Sequence, residues 1–170
     1  MLKAIIFDCF GVLYPQASGN FYKSHEKLFQ SHLEVLDGLN LEIDMGEISR
    51  KEFFAGLKKV TGIPAKVIQH ELDSQLILDQ KLASLIKKLK TRYKIGLFSN
   101  AGEEEIEIIY RDKIDGLFDA MTVSYELKSV KPNPQIFITC LAGEERLERR
   151  RYLSYEFMPN LFSEFVSPPV

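Results

Sequence analysis

A short apolar run, Ala4 to Phe7, meets a single carboxylate at Asp8 and, a few residues on, a glycine at Gly11. An apolar run of that length reads as a strand buried on both faces, as the strands of parallel sheets are. A buried strand ending in a bare charge is costly unless something pairs with that charge. In open α/β sheets the carboxyl ends of the strands are where ligands bind, and Gly11 gives the backbone freedom to turn sharply there. The plainer alternative is a strand closed by an Asp/Gly turn, and the rest of the chain decides between the two.

Downstream of that strand the texture is helical. Tyr14 to Asn20 contains Pro15 and Gly19 and reads as a linker. Phe21, Leu28, Phe29, Leu33 and Leu36 fall at helical spacing, with Gly38 and Asn40 expected to end that helix. Ser49-Arg-Lys-Glu52 has the form of a capping box, opening a helix with Phe53, Phe54, Leu57 and Val60 on one side and Gly62 at its end. Pro64 suits the first turn of a further helix reaching about Leu72. Asp79 suits the cap of another, with Leu82, Leu85, Ile86 and Leu89 facing inward. No convincing strand falls between residues 15 and 80.

The pattern changes at Tyr93. Lys94 to Phe98 forms a second short strand, ending in Ser99-Asn100. Glu103, Glu104 and Glu105 load the first turn of a helix with acid, which suits its positive end. Phe118 to Val123 reads as a third strand, and Pro134 as the start of a helix to about Arg150. Strands alternating with helices imply an α/β fold, a three-layer Rossmann-like parallel sheet. The helical block is too long for a simple crossover. We therefore expect residues 15–80 to form an inserted α-helical cap on a core built from 1–14 and 81–170.

Composition narrows the function classes. A net charge of −2 over 170 residues supplies no bulk positive field for nucleic acid. No apolar run reaches membrane-spanning length, and the start lacks the features of a signal peptide. Two cysteines, Cys9 and Cys140, make no disulfide framework, and Cys9 reads as a small buried residue. These features predict a protein of a reducing, cytoplasmic compartment, with no nucleic-acid or membrane partner. His25, His32 and His70 lack the acid or thiol partners of a recognised metal pattern. The Arg146–Arg151 run, interspersed with glutamates, reads as a solvated helix face.

A parallel sheet would bring Asp8, the Ser99-Asn100 pair and Lys131 to one carboxyl edge. Together they are an anionic nucleophile, short hydrogen-bond donors and a fixed positive charge. That set suits a phosphoryl group, which needs an attacking atom, donors for its oxygens and a cation for its charge. Singly, each has a bland reading: a turn, a helix cap, a solvated lysine.

In order and placement, Phe7-Asp8-Cys9-Phe10-Gly11-Val12-Leu13, Leu97-Phe98-Ser99-Asn100-Ala101 and Val130-Lys131-Pro132-Asn133-Pro134 resemble the three leading motifs of the haloacid dehalogenase superfamily. The inserted block resembles the small helical cap of one subgroup, and the likeness spans about residues 1 to 140. It implies a Mg²⁺-dependent phosphatase acting on a small phosphorylated metabolite through an aspartyl-phosphate. Asp8 would be the nucleophile, and its carboxylate and the Phe10 carbonyl would bind Mg²⁺. Ser99 and the backbone at Asn100 would hold the phosphoryl oxygens, and Lys131 would neutralise nucleophile and transferring group.

Two departures accompany the resemblance. Phosphatases of the family commonly place a second Asp where this chain has Phe10, as general acid and base; dehalogenating members commonly place an aromatic residue there. Phe10 therefore keeps open a 2-haloacid dehalogenase, in which Asp8 attacks carbon without Mg²⁺. After Lys131 the family supplies one or two further Asp residues, yet no Asp follows Asp119, and Glu156 is the acid nearest the expected metal position. From Gly143 onward the family pattern is lost, so the tail reads as foreign or frame-shifted. A third reading follows from these losses: a catalytically impaired chain that serves as a binding module.

Overall fold

The structure is a computed structural model and describes residues 4–111 and 114–134. Cys140, Gly143, the Arg146–Arg151 run, Glu156 and the expected helix beyond Pro134 lie outside the described residues. Three strands, β1 (Ala4–Phe7), β2 (Lys94–Ser99) and β3 (Ala120–Val123), form one parallel sheet in the order β1-β2-β3. Ile5 pairs with Ile95 and Phe7 with Leu97, while Leu97 pairs with Met121 and Ser99 with Val123. All three strands therefore end at the same edge. The chain is a Rossmann-like α/β protein.

Burial follows position in the sheet. β2 is central and buried from Ile95 to Ser99. β1 pairs with β2 alone among the described residues, and Ile5, Ile6 and Phe7 are only half-buried. The expectation that β1 is buried on both faces is corrected accordingly. Asp119 fixes the start of β3: its backbone N–H donates to the Ile95 carbonyl at 2.7 Å, and its carboxylate accepts the Ile95 N–H at 2.8 Å.

Six helices lie between β1 and β2: α1 (Ala17–Ser24), α2 (Glu26–Phe29), α3 (Leu33–Asp44), α4 (Arg50–Thr61), α5 (Ala65–Ser74) and α6 (Gln80–Leu89). The single helix expected from Phe21 to Leu36 is in fact three. The Ser24 hydroxyl donates to the Phe21 carbonyl at 2.9 Å, and the His25 ring lies 3.1 Å from the same oxygen. Side chains there compete for a backbone acceptor, which is how helices are interrupted. Phe21, Phe29 and Leu36 still share one core, whereas Leu28 and Leu33 are exposed.

Gly38 and Asn40 do not end α3. A Cβ at Gly38 would meet nothing within 4 Å, and Asn40 accepts the Tyr22 hydroxyl at 2.9 Å. The helix stops at Asp44, beside Gly46 with φ +64°. The capping box at Ser49 and Glu52 is formed, and Gly62 closes α4 in the left-handed region at φ +74°. Asp79 caps α6, accepting the N–H groups of Lys81 and Leu82 at 2.9 Å each. Leu85 faces solvent, and Ala83 and Ile86 form the buried face.

Beyond β2 come α7 (Glu103–Tyr110), a 3-10 turn (Ile114–Leu117) and the single-turn α8 (Ser124–Leu127), which sequence patterning does not reveal. The buried side chains form two clusters. One surrounds the sheet, from Cys9 and Leu13 through Ile95 and Leu97 to Val123. The other joins α1 to α5 and is rich in Phe. Leu76 packs against both. No helix among the described residues is long and apolar enough to cross a membrane.

Candidate functional site

Directly after β1 the chain makes a tight turn. Gly11, at φ +82°, donates its N–H to the Tyr14 carbonyl at 2.6 Å, and the Cys9 carbonyl accepts from Leu13 and Tyr14 at 2.8 and 3.0 Å. No atom within 4 Å would oppose a Cβ at Gly11, so backbone conformation is what favours glycine there. The turn leaves Asp8 at the sheet edge with 47 % of its side chain exposed. The costly buried charge expected from the strand pattern is thus half solvated.

Asp8 Oδ1 accepts the Cys9 N–H at 2.8 Å and lies 2.9 Å from Lys131 Nζ. Its Oδ2 has no protein partner among the described residues. Lys131 Nζ also donates to the Phe98 carbonyl at 2.9 Å and sits 5.1 Å from the Phe98 ring centroid. An ammonium has three donors, of which two are used among the described residues. The Asn100 side chain holds the loop that carries the lysine: its amide donates to the Lys131 carbonyl at 3.1 Å, and its oxygen accepts the Lys131 N–H at 2.8 Å. Ser99 is fully buried, and its hydroxyl donates to the Asn100 carbonyl at 3.2 Å.

Asp8, Ser99, Asn100 and Lys131, the described side chains singled out in the sequence, therefore meet in one place, together with Phe10. They line a cavity of about 440 Å³ between the sheet edge and the inserted helices. Cys9 is buried beside it, and burial pushes its thiol up to about 12, so it is a packed thiol rather than a nucleophile. Among the described residues no three His, Cys, Asp or Glu side chains gather in one place.

The opposite wall was not anticipated. Tyr22, Asp37, Asp44, Arg50 and Glu105 line the same cavity. Arg50 is buried, pairs through both guanidinium nitrogens with Asp73, and lies 4.8 Å from the Phe54 ring centroid. Glu105 accepts the Gly102 N–H at 3.1 Å, and burial raises its carboxyl above the usual range. Asp44 is pushed up to about 7, chiefly by burial and then by the Glu105 charge, against a lowering pull from Lys131. The signal in sequence is faint: Asp44 is one of two acids that alternate with apolar residues in Leu41-Glu-Ile-Asp-Met45.

This wall is anchored to the sheet side. The Ser124 hydroxyl donates to the Asp44 carbonyl at 2.5 Å and accepts the Ala101 N–H at 2.9 Å. Lys128 Nζ donates to the carbonyls of Met45 and Gly46 at 2.8 and 2.9 Å. The Arg50 N–H donates to Glu104 at 2.9 Å. A Cβ on Gly102 would lie 2.9 Å from the Ile43 carbonyl, so only glycine permits that approach.

A family model described as haloacid dehalogenase-like hydrolase matches residues 2–144. No curated protein sequence matches the chain. Among solved structures, a HAD family enzyme from Bacteroides thetaiotaomicron is 27 % identical, with a TM-score of 0.66 over 84 % of this chain and 79 % of that one. The wild-type form of that enzyme in complex with magnesium and inorganic phosphate aligns at 28 % identity and a TM-score of 0.64, over 84 % and 80 %. The L-2-haloacid dehalogenase of Xanthobacter autotrophicus, with chloropropionic acid covalently bound, shares the fold at 18 % identity and a TM-score of 0.54, over 81 % and 63 %.

Proposed function

Since this chain belongs to the haloacid dehalogenase-like hydrolases, we propose that it is a magnesium-dependent phosphatase for a small phosphorylated metabolite. One observation carries the reading: Asp8 and Lys131 lie 2.9 Å apart at the carboxyl edge of a parallel sheet, inside a cavity of metabolite size. Asp8 Oδ2 attacks phosphorus, the ester bond breaks, and water then hydrolyses the aspartyl-phosphate. Lys131, fixed by Phe98 and Asn100, holds the nucleophile by one oxygen and offers its remaining donor to the phosphoryl group. Ser99 and the backbone at Asn100 supply the other phosphoryl contacts. The inserted helices act as the cap that excludes water and selects the leaving group.

The donors near Asp8 suit Mg²⁺. Its carboxylate and the Phe10 carbonyl, which accepts no backbone hydrogen bond of the turn, are hard oxygen ligands, and Mg²⁺ keeps several waters besides one or two carboxylates. When bound it supplies positive charge to the phosphoryl oxygens. The magnesium and phosphate complex of the Bacteroides enzyme supports this reading.

Phosphate release from a panel of phosphorylated metabolites, with Mg²⁺ and after chelation, tests it. Release that requires the metal is expected, and folded protein inert on the whole panel overturns it. Phe10 favours one second reading. An apolar ring at this wall, 6.4 Å from the Tyr14 ring centroid, transfers no proton and suits a 2-haloacid, whose halide leaves without one. Halide release that persists in chelator would select that chemistry instead.

A further inference from the structure

With Phe10 beside the nucleophile, the leaving oxygen needs a proton from elsewhere, and the other groups lining the cavity are already engaged. Asp8 and Lys131 are paired with each other. Arg50 is held by Asp73. Tyr22 donates its proton to Asn40, and burial pushes its hydroxyl up to about 12. Glu105 is tied to the Gly102 N–H at the start of α7. Asp37 is exposed. Asp44 differs: it lines the cavity, no hydrogen bond engages its side chain among the described residues, and its backbone carbonyl is clamped by Ser124.

We propose that Asp44, from the inserted helices, is the general acid and base of this site. The proposal rests on the phosphatase reading. As Asp8 Oδ2 bonds to phosphorus and the phosphorus–oxygen ester bond breaks, the Asp44 carboxyl gives its proton to the departing oxygen. In the second step the Asp44 carboxylate takes a proton from the attacking water. The phosphorus–Asp8 bond then breaks, inorganic phosphate leaves, and both carboxyls return to their starting states.

The environment suits both directions. Burial and the Glu105 carboxylate on α7 favour the neutral acid, and Lys131 on the sheet side favours the anion. Tyr22 on α1 and Asp37 on the same helix are the other ionisable groups of that wall, with Arg50 already neutralised by Asp73. The balance leaves Asp44 near 7, where an acid and base at neutral pH is most effective. Asp44 lines the same cavity as Asp8 and the Lys131 that touches it.

The test compares two esters in the presence of Mg²⁺: p-nitrophenyl phosphate, whose leaving group departs without a proton, and glycerol 2-phosphate, whose alkoxide does not. Asp44→Asn is expected to slow aspartyl-phosphate formation from glycerol 2-phosphate on the order of a hundredfold or more, and the first-turnover burst of p-nitrophenolate by a much smaller factor, while hydrolysis of the shared intermediate slows for both. For wild type, the alkyl ester rate falls as pH rises through about 7, because the folded protein then loses the Asp44 proton; in the variant that limb disappears. Asp44→Glu keeps a carboxyl, so it is expected to restore alkyl ester turnover and the limb, and it serves as the comparison if the Asn variant fails to fold. Equal slowing of the first turnover of both esters, a change in KM alone, or an unaltered pH profile overturns the role of Asp44. Wild-type protein inert on both esters overturns the phosphatase reading instead, and this inference with it.

Discussion

At the sheet wall of the cavity every charge is tied to a neighbour, whereas across from it Asp44 stands untied in a partly desolvated place. Lys131 is bonded to Asp8 and Phe98 through its ammonium and to Asn100 through its backbone. The bonds are short but the pair is open to solvent, so they give geometry more than stability. On the helix side the ion pair joins a buried Arg50, set against Phe54, to a partly exposed Asp73. One wall ties its charges to one another at the sheet edge; the other uses one pair for packing and leaves one acid without a partner.

On the proposed function, the largest expected effect comes from the sheet wall. Asp8→Asn keeps the shape but removes the anion, and turnover is expected to fall on the order of a thousandfold or more, as when other nucleophiles are removed. Its unfolding free energy in urea is expected to move by no more than about 1 kcal/mol, since the ion pair is solvent-exposed. A large stability loss with activity retained would invert the comparison.

Arg50→Met probes the packing wall. It leaves Asp73 without its cation behind a buried side chain, and breaking such a pair costs about 3–5 kcal/mol when both ions are buried. Asp73 is 33 % exposed, so the lower end, about 3 kcal/mol, is expected in urea unfolding. A loss under about 1 kcal/mol would mean that this pair is as solvated as the one at the sheet.

The two walls were unequally legible in the sequence for the same physical reason. The sheet wall rests on contiguous signals: an apolar run closed by Asp8, another closed by Ser99-Asn100, and a proline-flanked Lys131. Parallel strands in register bring such ends together whatever the side chains between them. The capping residues Ser49 and Asp79 were equally local, hence readable. The helix wall depends on how short helices pack. Whether the apolar pattern from Phe21 to Leu36 is one helix or three turns on Ser24 and His25 contesting a single carbonyl. The position of Asp44 depends on where α3 stops and on Ser124, in a one-turn helix some eighty residues away in sequence. Burial of β1 was overread because the run shows that a strand is apolar, not how many neighbours it has.

Ser124 is where the two walls meet, and it gives the smallest of these effects. Its hydroxyl is buried, takes the Ala101 N–H from the sheet side and reaches the Asp44 carbonyl on the helix side. Ser124→Ala leaves a buried N–H and a carbonyl unpartnered, which costs about 1–3 kcal/mol. The loss is expected to be local: the Ala101 amide should exchange with solvent faster while amides in the centre of β2 keep their protection. Uniform acceleration across β2 would show instead that this hydroxyl supports the whole sheet. A local loosening accompanied by slower alkyl ester hydrolysis would tie the clamp to the placement of Asp44, because Asp8 and Lys131 are held by bonds that Ser124 does not touch.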